Sequence, residues 1–181
     1  MTYSFSVIGL GKVGRAMLAL LSEAGHCPLW AVSSRRPAVD VPVCPDIPPG
    51  PQGSQIVLLA VPDSVIEHTA SRIAAQWKEA CEGIVFFHLS GLYASDLLEP
   101  LAWYGGEVGS FHPLQSILDA QHAQEAIKGS FFTFEGTPKA REAAGDLAAS
   151  LGSRLLTISR EDKILYHTAA ASASTTSFTW P

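Results

Sequence analysis

Three glycines stand at fixed spacing near the start of the chain. Gly9, Gly11 and Gly14 lie in "VIGLGKVG", a G-x-G-x-x-G pattern entered from an apolar run. In a dinucleotide site each has a task. Gly9 permits a tight turn, Gly11 lets backbone approach a pyrophosphate, and Gly14 lets helix and strand pack closely. The helix that follows offers unpaired N–H groups and a partial positive charge to the phosphates. A glycine-rich turn with no ligand has the same letters, so context must separate the two.

Twenty residues on, Ser33, Ser34, Arg35 and Arg36 form "SSRR", and no acid lies between Glu23 and Asp40. A site for NAD usually places Asp or Glu there to bond the ribose 2′-hydroxyl. Hydroxyls and guanidinium groups suit a 2′-phosphate instead, because Arg binds phosphate bidentately. Two solvated surface arginines are the plainer alternative. The residues favour NADP over NAD.

Further polar groups fall just after apolar runs. Val61, Pro62 and Asp63 follow "QIVLLA"; His88, Ser90 and Gly91 lie in "HLSG"; His112, Gln115 and Ser116 lie in "FHPLQS". His112 is the stronger candidate for an active-site group and His88 the weaker. A hydrogen-bonded structural role competes for each. His26, His68 and His122 read as surface residues. Tyr166 and His167 precede small residues in "YHTAAASAS", which would allow close packing against a helix or a cofactor face. No spacing suggests a metal site.

The elements that must position these groups follow from hydrophobic periodicity. Residues 4–8 form a short strand. Val13, Ala16, Met17, Leu20, Leu21 and Ala24 recur on one face of a helix that Gly25 ends. A second strand covers 28–34, which completes a βαβ unit. Residues 37–53 hold six prolines and two glycines and exclude long helix, leaving a loop with a short strand near 41–43. Residues 55–61 form a strand buried on both faces. A helix spans 64–77, with Val65, Ile66, Ala70, Ile73, Ala74 and Trp77 inward. Then come a strand at 83–91, a short helix around 94–104, a strand from 107, helix signals at 119–127, a strand at 130–136, a helix at 138–152 and a strand at 153–159. A last helix starts near Arg160. Alternation of this kind predicts a doubly wound, mainly parallel α/β sheet.

The 181 residues are 47% apolar and 16% charged, a globular balance, with a net charge of −5. No basic tract points to nucleic acid. No apolar run reaches the ~18 residues of a membrane span, and the apolar "AMLALLSEAG" lacks the basic start of a signal peptide. Cys27, Cys44 and Cys81 are widely spaced without metal-type pairing, which fits a reduced, cytoplasmic protein.

Taken in order, "VIGLGKVG", "SSR", "LLAVPD", "HLSG", "SFHPLQS" and "YHTAAASAS" resemble a family of Rossmann-like oxidoreductases. Their helical C-terminal domain is of unknown function, and they are related to pyrroline-5-carboxylate reductase and to deazaflavin-dependent NADP oxidoreductases. The resemblance runs to about residue 174. It implies an NADP-binding Rossmann domain over 1–159, and a helical domain from 160 that pairs two subunits as a homodimer, with the active site between them. By motif it places Gly9, Gly11, Gly14, Ser34, Arg35, Val61 and Pro62 at the cofactor, and Lys12, Val13 and Ser33 beside them are further cofactor-binding candidates. It places Ser90, His112 and His167 at the cleft of a small-molecule substrate. Family members continue for roughly another domain, whereas this chain ends in "STTSFTWP"; the expectation is a truncated helical domain and impaired turnover. Three readings follow: an NADP-dependent oxidoreductase acting on C=O or C=N, a non-catalytic NADP(H) sensor or interaction module, and a prephenate-dehydrogenase-like enzyme suggested by the "HP" after a strand.

Overall fold

The computed structural model of the chain describes residues 1–35, 37–115 and 122–163. Among the described residues eight strands form one sheet: β1 (Ser4–Ile8), β2 (Cys27–Val32), β3 (Val43–Cys44), β4 (Ile56–Leu59), β5 (Val85–His88), β6 (Glu107–Pro113), β7 (Phe131–Gly136) and β8 (Arg154–Thr157). Their spatial order is β3-β2-β1-β4-β5-β6-β7-β8. The first six are parallel, β7 runs antiparallel to β6, and β8 is parallel to β7. The doubly wound, mainly parallel sheet expected from the sequence is therefore present. Strand order reverses between β1 and β4, the position where such sheets bind ligands.

Helices α1 (Lys12–Glu23), α2 (Ile66–Trp77), α3 (Glu99–Ala102), α4 (Ala123–Ile127) and α5 (Pro138–Ser150) cover the two faces. Alternate strand residues enter different cores. Phe5, Val7, Ile56, Leu58 and Phe87 pack with α1 and α5, whereas Ile8, Val57, Leu59 and Phe86 pack with α2. The apolar run at 55–61 is thus read out on both faces, as a central parallel strand requires. Helix α1 stops where Gly25 takes φ +90° and the His26 N–H returns to the Leu21 carbonyl at 3.0 Å, a glycine C-cap.

Three inward and surface assignments change. Val65 is exposed because a 3₁₀ turn over Asp63–Val65 precedes α2 and rotates it out of the helical stripe. Ala24 is exposed because it lies past the end of α1. His26 is buried rather than on the surface. Its Nδ1 accepts the Tyr3 N–H at 3.1 Å, and its ring lies parallel to Tyr3.

The proline-rich loop is ordered by indoles. Trp77 Nε1 donates to the Pro48 carbonyl at 2.7 Å and Trp30 Nε1 to the Pro51 carbonyl at 3.1 Å. The two rings meet edge to face, 6.1 Å apart. Burying each ring is worth roughly 1.5–3 kcal/mol, and the loop carbonyls satisfy the N–H groups that burial would otherwise strand. No helix among the described residues is long and apolar enough to cross a membrane.

Candidate functional site

The glycines separate into two kinds. Gly9 leaves β1 at φ +99°, and a Cβ there would stand 2.4 Å from the Ala60 carbonyl oxygen. A Cβ on Gly14 would stand 1.9 Å from the Gly9 oxygen. Both glycines are demanded by the protein's own packing. Gly11 is different: its φ is −71°, which any residue adopts, and a Cβ there meets nothing within 4 Å. Gly11 is also the N-cap of α1 and offers no side-chain cap. The first-turn N–H groups of a twelve-residue helix therefore face the space that Gly11 leaves open.

That space is a cleft of about 500 Å³ at the β1/β4 reversal. Of the residues singled out in the sequence, Gly9, Gly11, Ser33, Ser34, Arg35, Val61 and Pro62 line it. Lys12, Val13 and Gly14 form the first turn of α1, with Val13 packed against the core and Gly14 against Gly9. Beyond β2, the Ser33 hydroxyl accepts the Arg35 N–H at 3.3 Å and bends the chain so that Ser34 and Arg35 stand exposed at the rim. Arg36 lies outside the described residues.

Sequence reading missed a second wall of this cleft. Asp46, Thr69 and Arg72 also line it. Arg72 donates to both carboxylate oxygens of Asp46 at 2.8 Å. The Ile47 N–H, and after it Arg72, hold the Asp46 carboxyl below its usual range. Only the folded proline-rich loop brings this acid opposite Arg35's strand.

A separate polar cluster lies further along the same sheet edge. Register places Ile8 beside Leu59, Leu59 beside His88, His88 beside Ser110 and Ser110 beside Glu135. The row is apolar over the first two strands and polar over the last three. His88 is fully buried and satisfied: Nε2 donates to the Ala94 carbonyl at 2.9 Å and Nδ1 accepts the Ser90 N–H at 3.2 Å. Burial pushes its pKa down to about 4, and the nearby Lys163 charge acts in the same sense. His88 is therefore a neutral structural link. The Ser90 hydroxyl accepts the Leu92 and Tyr93 N–H groups at 3.2 and 3.3 Å, and the Ser110 hydroxyl donates to the Ser90 carbonyl at 3.1 Å. His112 is half-buried, its Nδ1 3.0 Å from the Leu89 carbonyl. Its ring covers Gly91, where a Cβ would stand 2.7 Å from Nε2.

The most consequential group here is one the sequence reading passed over. Lys163 is 1% exposed, and its ammonium donates to the Ser110 hydroxyl. Burial pushes its pKa down to about 8, opposed by Glu135, Asp63 and Asp96. Glu135 accepts the Ser95 N–H and hydroxyl at 2.7 and 2.8 Å, and Arg160 is paired with Asp96 at 2.6 Å. The available signal was a single charge in "KILYHTAAASAS", four residues before His167. Tyr166, His167 and Ser116 lie outside the described residues. The structure thus brings Ser90 and Lys163 together through Ser110, with His112 on the neighbouring Leu89 carbonyl.

No curated protein sequence matches the chain. Among solved structures, a Thermotoga maritima protein superposes with a TM-score of 0.70 at 22% identity, covering 94% of this chain and 63% of that one. A Plasmodium falciparum pyrroline carboxylate reductase with NADP bound gives 0.72 at 11% identity, covering 96% and 64%. A prephenate dehydrogenase from A. aeolicus in complex with hydroxyphenyl propionate and NAD+ gives 0.70 at 12% identity, covering 97% and 69%. At these identities the likeness is one of fold. The chain spans just under two thirds of the first two proteins. Residues 130–179 match the family model "Domain of unknown function (DUF2520)". Residues 2–113, more than half of the chain, match the Rossmann-like domain model, and the protein belongs to that family.

Proposed function

We propose that the chain is the NADP(H)-binding part of an oxidoreductase that moves hydride to or from a C=O or C=N carbon of a small molecule. The observation that carries this reading is Gly11. The fold has no use for a glycine there, whereas a pyrophosphate approaching the α1 N-terminus does. The residues present fit the group. Gly9, Gly11 and the α1 N–H groups would hold the pyrophosphate, Val61 and Pro62 would bound the chain of the cofactor, and Ser33, Ser34 and Arg35 would take the 2′-phosphate. Bound dinucleotide supplies the hydride chemistry; the protein orients it and excludes water. Ser90, His112 and His167 stand as the substrate-facing groups in this reading. The Rossmann domain extends over 1–159, and residues from 160 belong to the helical domain through which two copies pair.

Fluorescence titration of the full chain with NADPH and NADH tests the proposal. NADPH is expected to bind at least tenfold more tightly. Equal affinity overturns the assignment of the 2′-phosphate site, and binding of neither overturns the whole reading.

A further inference from the structure

Within the oxidoreductase reading above, on which this inference rests, we propose that Lys163 is the proton-transfer residue and that the substrate is a carbonyl/alcohol pair rather than an iminium/amine pair. Three observations carry it. Lys163 is an almost completely buried amine, and a buried cation costs stability unless it is paired and hydrogen-bonded. It is fixed by the Ser110 hydroxyl, midway along β6 and in register with His88, the last residue of β5. The Asp63 carboxylate acts on Lys163 from the turn after β4, and that turn continues directly from the cleft-lining Pro62. In a doubly wound sheet the second half of a dinucleotide extends from the β1/β4 reversal toward this side.

The charges around Lys163 set its character. Glu135 on β7, Asp63 after β4 and Asp96 beside α3 favour the ammonium, while burial opposes it and wins, leaving the pKa at about 8. His88 on β5 stays neutral, and Arg160 on the same segment is spent on Asp96. The Glu135 carboxylate is engaged by both donors of Ser95. His112, two residues beyond Ser110 on β6, lies on the Leu89 carbonyl. A buried amine with a pKa near that of its surroundings can both give and take a proton.

The chemistry then selects the substrate. As hydride from the reduced nicotinamide reaches a carbonyl carbon, the C=O π pair moves onto oxygen. The oxygen takes a proton from the Lys163 ammonium, the C–H and O–H bonds form, and the neutral amine is reprotonated from solvent. The carbonyl is reduced and the nicotinamide oxidised. In reverse, the neutral amine takes the hydroxyl proton as hydride leaves. An iminium already carries positive charge and loses it on reduction. It needs no proton donor, and a buried ammonium beside it is repulsive.

The test uses the full chain labelled with ¹³C-lysine. Of its five lysines, one Cε signal is expected to titrate near pH 8 and to vanish in Lys163→Arg and Lys163→Met. A Lys163 midpoint above 10 overturns the proposal. NADPH oxidation is then followed with panels of ketones, aldehydes and N-methylated cyclic iminium salts. Carbonyl reduction is expected, with kcat about 100-fold lower in Lys163→Met, NADPH affinity by fluorescence unchanged, and the pH limb near 8 lost. Preference for the iminium salts, turnover of neither class, or undiminished carbonyl reduction by Lys163→Met overturns it. Circular dichroism of both variants excludes misfolding as the cause. Because NADPH binding by the unaltered protein is measured separately, failure of the cofactor reading is distinguished from failure of this one.

Discussion

Lys163 and Ser110 join a segment that follows the last strand to the middle of the sheet. The ammonium donates to the hydroxyl, and Ser110 stands in register between His88 on one side and Glu135 on the other. One hydrogen bond thus sets a cation over a three-strand polar row. Its strength and its cost both follow from exclusion of water.

Lys163 is expected to lower stability at neutral pH. An unfolded lysine holds its proton to about 10.5, the folded one only to about 8. The unfolded state binds more protons between those values, so stability rises with pH from 8 to 10.5. Below 8 the folded state carries the full penalty, at most about 3 kcal/mol. Lys163→Met should raise Tm at pH 7, and the gap to the unaltered protein should narrow by pH 10. Thermal unfolding at the two pH values checks this; a lowered Tm at pH 7 contradicts it.

His88 makes the fold acid-sensitive. Its pKa falls from 6.5 to about 4 on folding, so the unfolded chain takes up a proton that the folded one refuses. Stability is complete above pH 6.5 and declines as pH falls toward 4, by up to about 3 kcal/mol. Buried His26, also shifted downward by burial, adds to the same slope. Urea midpoints at pH 7 and pH 4.5 should differ less in His88→Gln than in the unaltered protein.

Gly14→Ala and Gly11→Ala should part company. The first drives a Cβ against the Gly9 carbonyl and should destabilise by about 1–3 kcal/mol or more. The second enters open space and should cost no more than about 1 kcal/mol of stability, yet weaken NADPH binding tenfold or more. Urea titration and fluorescence titration, run on both variants, read the two effects separately.

Charge at the far end of the cleft should set cofactor preference. Arg35→Ala should weaken NADPH about 10-fold or more, the value of a charge-assisted bond, and leave NADH nearly unchanged. Asp46→Asn removes a carboxylate from the cleft and releases Arg72. NADPH should then bind a few-fold more tightly, with NADH little altered. Equal responses of the two cofactors to either variant would show that no 2′-phosphate is read there.

The strands and long helices were legible because burial writes a period into them. The stripe Ala16, Met17, Leu20, Leu21 predicts α1, and the unbroken run Ile56–Leu59 predicts a central strand. The glycine turn between β1 and α1 was legible for a related reason, since a tight strand-to-helix turn needs glycines at short fixed spacing. The reversed direction of β7 was not, because strand direction leaves no mark on composition. Nor was the burial of His26, which depends on Tyr3 and on Ser150 at 3.0 Å from far along the chain.

By itself, then, the sequence determined the element order, the sheet's mainly parallel character and the tight turn of Gly9, Gly11 and Gly14. These are short-range properties, set by periodicity and backbone freedom within a few residues. Tertiary structure decided that Asp46 and Arg72 share a cleft with Arg35. It also decided that Lys163 lies buried on Ser110, 53 residues away in the chain. Register across β5, β6 and β7 places those groups, and desolvation gives them their altered proton affinities. Both arise only when distant segments exclude water together.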